Sequence, residues 1–174
     1  MNGYLLDNNA VGHWFGKQAE LCARILALGT QPPLFVSAIV LGEIECGHRI
    51  CHTTCENRRK QYEEFVARKL HPYVVPVGFH TREPYGYLRS HLFRKFAPRT
   101  HREKHPEMWE DPVTGHQLGI DENDLWIAAQ AVEHNLVLIT SDKLLKLREA
   151  DPDGRLLIEN WTAPPRQANP ARPG

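Results

Sequence analysis

Leu136-Val137-Leu138-Ile139-Thr140-Ser141-Asp142 decides the fold class. Its apolar residues run on without alternation, as in a strand buried on both faces rather than one lying at a surface. The run stops at an acid. The chain begins the same way, with Tyr4-Leu5-Leu6 running into Asp7, so residues 3–7 read as a second buried strand. Leu34-Phe35-Val36-Ser37 is another, and Ser37 can cap a helix that carries Glu43 one to two turns in. Tyr73-Val74-Val75-Pro76-Val77 is a further strand, its proline marking an edge or a strand end. Leu156-Leu157-Ile158-Glu159-Asn160-Trp161 is the last, with Trp161 packing at its end.

Helical spacing fills the intervals. Residues 9–28 predict two short helices with Leu21, Ile25 and Leu28 facing inward and Asn8 or Asn9 as the N-cap. Gly29 ends them, and Pro32-Pro33 forbids resumption. Residues 56–70 put Tyr62, Phe65, Val66 and Leu70 on one side, and residues 81–96 do the same with Tyr85, Leu88, Leu92, Phe93 and Phe96. Residues 121–134 form an Ala-rich helix with Asp124 at its start and Trp126 turned to the core, and residues 143–149 a short one. Residues 97–119 have no periodicity and contain Pro98, Pro106, Pro112 and Gly115, so they predict a long loop or insertion, functional or mobile.

Strands alternating with helices predict an α/β fold: a mostly parallel sheet of about five strands with helices on both faces. Right-handed crossovers bring the carboxyl ends of the strands to one rim, where ligands bind. That rim receives Asp7 and Asp142 directly, and Glu43 and Asp124 from helix starts. Singly, each acid has an ordinary explanation as a cap, a turn residue or a first-turn charge. Glu43 fits such explanations least, lying among Ile39, Val40, Leu41 and Ile44, where a charge is costly unless paired. Two carboxylates about 4 Å apart repel by roughly 4 kcal/mol at an effective dielectric of about 20. A shared divalent cation is the natural reason for such acids to meet.

The chain has 174 residues and a formal net charge of zero, with 41% hydrophobic and 24% charged residues. That size suits one domain, residues 1–161, followed by a Pro-rich tail over 162–174 that predicts disorder. Zero net charge excludes steering of nucleic acid by the whole molecule, though not by local patches. There is no apolar stretch long enough to cross a membrane and no secretory-type N-terminus, which predicts a cytoplasmic protein. Cys22, Cys46, Cys51 and Cys55 fit that compartment, three of them crowded into ten residues rather than spread as a disulfide framework.

Four blocks together, Tyr4-Leu5-Leu6-Asp7-Asn8-Asn9, Val36 to Glu43, Asn123-Asp124-Leu125-Trp126-Ile127-Ala128-Ala129-Gln130-Ala131 and Leu136 to Asp142, resemble a PIN-domain ribonuclease, above all the VapC-type toxins of bacterial toxin–antitoxin pairs. The resemblance spans residues 3–161. It implies a three-layer α/β/α PIN-like fold and a Mg²⁺- or Mn²⁺-dependent endoribonuclease. It also implies an RNA substrate, a small antitoxin as partner and a homodimer, with residues 9–28 and 38–70 the places to look for the dimer contact. Carried over residue by residue, Asp7, Glu43, Asp124 and Asp142 are both the catalytic and the metal-holding set. Asn8 stands where the family often has Thr or Ser, and residues 97–119 are longer than in compact members. Asp121 reads as a first-turn charge rather than a further ligand.

Asn9, Ser37, Thr140 and Ser141 are candidates to orient water or phosphate. Arg89, Arg94, Lys95, Arg99, Arg102 and Lys104 face a single acid, Glu103, between Tyr85 and His105, which suits an RNA-facing patch. Cys46, His48, Cys51, His52 and Cys55 allow a zinc site by spacing but lack a Cys-x₂-Cys pair. His101 and His105 share a similar spacing in a loop. Competing readings are a non-catalytic PIN-like module that binds RNA or a protein, and a phospho-acceptor domain. The latter is disfavoured: a phosphatase needs a second Asp where Asn9 stands, and a receiver needs an Asp near Val77-Gly78-Phe79-His80.

Overall fold

The computed structural model describes residues 2–29, 33–51, 56–70, 73–97, 105–111, 113–141 and 144–163. The elements run β1 (Tyr4–Leu6), α1 (Asn8–Phe15), α2 (Ala19–Leu28), β2 (Leu34–Ser37), α3 (Ala38–Ile50), α4 (Glu56–Lys69), β3 (Val74–Val75) and α5 (Arg82–Phe96). A short 3₁₀ turn (Pro106–Met108), α6 (Glu122–Glu133), β4 (Val137–Ile139), α7 (Leu145–Glu149) and β5 (Leu157–Glu159) follow. The described strands make one five-stranded sheet in the order β3-β2-β1-β4-β5, every pair parallel. The fold is the predicted three-layer α/β/α arrangement.

The chain winds outward from β1 through β2 to β3, then returns to the other side of β1 with β4. The order therefore reverses between β1 and β4, and a crevice opens beyond their carboxyl ends. Leu6 lies opposite Ile139 in that pair. Beyond it the ladder continues, the Asp7 N–H donating to the Ile139 carbonyl at 3.1 Å. At the opposite end Gly3 has φ +150° and no room for a side chain, since a Cβ would stand 2.5 Å from the Pro33 carbonyl oxygen. Only glycine admits that approach of β1 to the chain entering β2.

Leu5, Leu6, Val36, Val137, Leu138 and Ile139 are all buried, which is why the strands read as unbroken apolar runs. A polar tie also crosses the core. The Ser37 hydroxyl donates to Gln130 Oε1 at 2.6 Å, and Gln130 Nε2 donates to the Val75 carbonyl at 3.0 Å, joining β2, α6 and β3. Gln130 is fully buried, so both ends of its amide are satisfied by protein.

One local expectation needs correction. Asp7, not Asn8 or Asn9, is the N-cap of α1: its backbone is extended and its Oδ1 accepts the Ala10 N–H at 2.6 Å. Helix α1 starts immediately after β1, which leaves the strand's terminal acid to satisfy the first-turn donors. The segment read as a loop or insertion is irregular over 105–120 apart from one 3₁₀ turn, but it is packed down on the core. Trp109 is 0% exposed and meets Phe93 edge-on at 5.6 Å, and Leu118 and Ile120 are buried. An antiparallel bridge joins Glu110 to Gln117. The Asp111 carboxylate accepts from the Val113 N–H at 2.9 Å and from Lys146 Nζ of α7 at 2.6 Å. A tight turn hung on one buried tryptophan has no periodicity to detect, and its outward Met108 and Val113 blur the pattern further.

Candidate functional site

Asp7 stands at the carboxyl end of β1, at the point where β1 and β4 separate, and is only 7% exposed. A carboxylate this buried requires donors, and the Ala10 N–H is one. Glu43, half-buried on α3, lies across the rim: α3 packs against both α1 and α6. Its Oε1 accepts a hydrogen bond of 2.8 Å from Asn123 Nδ2 at the start of α6. Asp124 is the next residue. A reciprocal capping box fixes it, the Asp124 N–H donating to Asp121 Oδ1 at 2.8 Å and the Asp121 N–H to Asp124 Oδ2 at 3.0 Å. Asp121 is thus the N-cap of α6, in keeping with its reading as a structural charge.

The structure therefore joins Glu43 to the α6 start beside Asp124, and sets Asp7 at the head of α1, which borders the same α3. Asp142 lies outside the described residues; in sequence it follows Ile139 of β4 by three positions. Among the described residues no three His, Cys, Asp or Glu side chains are arranged to hold a metal ion. The donor chemistry nonetheless suits a hard cation, since Asp7, Glu43 and Asp124 offer carboxylate oxygens and the positive end of α6 favours anionic side chains there.

The expected water-orienting residues fare differently. The Ser37 hydroxyl is spent on structure, donating to Gln130 and accepting from the Ile39 N–H as the α3 cap. Thr140 is buried, Ser141 half-buried, and Asn9 is exposed on the first turn of α1.

The other side of the α6 start is crowded by residues of α5 and of the 105–120 segment. The Glu122 N–H donates to Glu107 Oε1 of the 105–120 segment at 3.1 Å. The Glu122 carboxylate accepts from both the Tyr85 hydroxyl and Arg89 of α5. Tyr85 in turn stacks on the half-buried Trp126, centroids 3.8 Å apart and planes at 12°. Arg89 is thus tied into the α5–α6 contact, and Lys95 pairs with Glu149 at 3.3 Å, so neither is a free cation of an RNA-facing patch. Arg94 is exposed; Arg99, Arg102 and Lys104 lie outside the described residues, as do His52, Cys55, His101 and the tail from Pro164. Cys51 is disulfide-bonded, which withdraws its sulfur from the zinc reading, while Cys22 and Cys46 are free.

Away from the rim, α3 and α4 border a second concavity of about 270 Å³, lined by Leu41, Ile44, His48, Tyr62 and Val66 among others. The Tyr62 hydroxyl is buried there with no hydrogen-bond partner among the described residues, and burial pushes its pKa well above the usual phenol range. Among the described residues no helix is long and apolar enough to cross a membrane.

Of the residues now placed at the rim, Asn123 and Glu107 were not singled out from sequence. Asn123 carried a signal, as a polar amide beside the acid that opens α6; Glu107, inside an aperiodic stretch, carried none.

Three solved structures share this architecture. VapBC2 from Rickettsia felis, bound to a DNA fragment from its promoter, is 23% identical, with 91% of this chain and 98% of that chain covered and a TM-score of 0.66. DNA-bound VapBC from Salmonella typhimurium is 22% identical over 92% and 99% of the two chains, TM-score 0.64. VapBC-1 from nontypeable Haemophilus influenzae is 22% identical over 92% and 99%, TM-score 0.62. At these identities the likeness is one of fold. No curated protein sequence matches the chain. The PIN domain matches residues 4–150, most of the sheet and all the residues of the rim, and the chain therefore belongs to the PIN-domain family.

Proposed function

We propose that this protein is a metal-dependent endoribonuclease, the toxin of a toxin–antitoxin pair. Asp7, Glu43, Asp124 and Asp142 form its carboxylate set and Mg²⁺ or Mn²⁺ is its cofactor. The observation that carries the reading is the hydrogen bond from Asn123 to Glu43. It brings an acid from α3 to the residue beside Asp124, at a rim where Asp7 ends β1.

In this reading the four carboxylates would hold the ion, which would supply positive charge against the scissile phosphate and lower the pKa of a bound water. The protein's own work is positioning. The Ala10 N–H orients the Asp7 carboxylate, and the capping box orients Asp124. Burial of Asp7 weakens the screening of its charge, so a cation is felt more strongly there than at an open surface. Cleavage of RNA in Mg²⁺ that EDTA abolishes is the expected result; no cleavage in either condition, with a well-folded protein, contradicts the assignment and favours a binding module.

The likeness to VapBC structures supports a small antitoxin as partner, and a toxin homodimer is part of the same proposal. The apolar concavity between α3 and α4, with its unsatisfied Tyr62 hydroxyl, is the surface we propose for a partner segment. Co-purification of the protein with the product of an adjacent small gene, lost on Ile44→Asp, tests this part.

A further inference from the structure

Asn123 sits at the second position of α6, exposed, with Nδ2 2.8 Å from Glu43 Oε1. Its neighbours on either side have other tasks. Glu122 is held by Arg89 and Tyr85 of α5, and Asp124 by the Asp121 N–H. Asn123 reaches across to α3. Among the described residues its amide is the only hydrogen-bond donor to Glu43, so the direction of that carboxylate is set from α6 rather than from Glu43's own helix.

The chemistry of the donor matters as much as its place. An arginine or lysine here would pair with Glu43 and cancel its charge. A neutral amide supplies one hydrogen bond and leaves the carboxylate's charge, and the lone pairs of its second oxygen, for a cation. Carboxylates that bind metals are commonly held by such outer hydrogen bonds, and losing one typically costs 10- to 100-fold in metal affinity or activity.

We propose that Asn123 is a positioning residue: it orients Glu43 toward the ion held at the rim, without itself touching metal or substrate. This rests on the nuclease reading above and adds a residue to it. The capping box fixes the start of α6, so Asn123 is carried on a backbone whose position does not depend on Glu43.

The test is a double-mutant cycle read by Mn²⁺ binding to the protein alone, by calorimetry, with RNA cleavage measured alongside. Asn123 is exposed and alanine is a strong helix former, so N123A stays folded, which thermal unfolding verifies. N123A should weaken Mn²⁺ binding roughly 10-fold and lower kcat, leaving the KM for RNA unchanged. Glu43→Ala should weaken binding at least as much, and N123A should add nothing in the Glu43→Ala background. Equal Mn²⁺ affinity in N123A and wild type overturns the proposal, as does an N123A loss that persists in full without Glu43. A wild-type protein that neither binds Mn²⁺ nor cleaves RNA overturns the nuclease reading instead, a result distinct from either.

Discussion

Glu43 and Asp111 are two carboxylates handled in opposite ways. Asp111, in the 105–120 segment, is matched to a cation: Lys146 stands 2.6 Å away and the Val113 and Thr114 N–H groups donate to it. The Lys146 ammonium, with help from those amides, holds the Asp111 carboxyl below the ordinary carboxylate range. Asp111 in turn, with Glu149, raises Lys146. Glu43, at the rim, is matched among the described residues to a neutral amide. One acid is neutralised by the fold and the other is aimed by it. Where the protein supplies the counter-charge the acid is structural; where it supplies only direction, we propose, the charge serves a ligand.

The largest expected effect lies on the structural side. Trp109→Ala should cost about 3–5 kcal/mol, because a fully buried indole leaves a cavity its surroundings cannot fill. A loss under about 0.5 kcal/mol, read by denaturant unfolding, would return residues 105–120 to the status of a surface loop.

On the other side, Glu43→Gln should lower cleavage roughly 100-fold or more, the scale expected when one preorganised charge is removed from a site. Its stability should stay within about 0.5 kcal/mol of wild type, since glutamine still accepts from Asn123. Asp111→Asn reverses the pattern: the melting temperature falls because Lys146 loses the nearer of its two carboxylate partners and keeps only Glu149, while Mn²⁺ affinity is kept. If both variants lost stability and neither lost activity, the contrast between the two acids would disappear.

The smallest effect is in pH. The folded-state pKa of Asp111 is depressed, so its stabilisation is present above the unfolded value of about 3.9 and is lost as pH falls through the lower folded value. Wild type should therefore lose stability faster than Asp111→Asn below about pH 4. Parallel curves would mean that the Lys146 contact contributes nothing in solution.

Most of the fold was legible because its central strands are buried on both faces and its helices keep one apolar stripe. Leu136 to Ile139 and Leu88, Leu92 and Phe96 are inward as read. Phe93, in the same stripe, is partly exposed, its ring turned to Trp109 outside the periodic pattern. The 105–120 segment escaped for a related reason: a turn anchored by one tryptophan and one ion pair repeats nothing. At the rim, residue type put the acids forward as candidates, but pairing did not show. Nothing in the spacing of Arg89 from Glu122, or of Asn123 from Glu43, signals a contact formed only when α5, α6 and α3 pack together.

That the rim acids repel one another until a cation joins them is decided by thermal unfolding with and without Mn²⁺. Saturating Mn²⁺, at about 100 times its dissociation constant, should stabilise wild type by about 2.7 kcal/mol. Asp7→Asn, whose asparagine still caps α1, should be at least as stable as wild type without metal and gain little from its addition. A wild-type melting temperature unmoved by Mn²⁺, or an equal gain in Asp7→Asn, would contradict it.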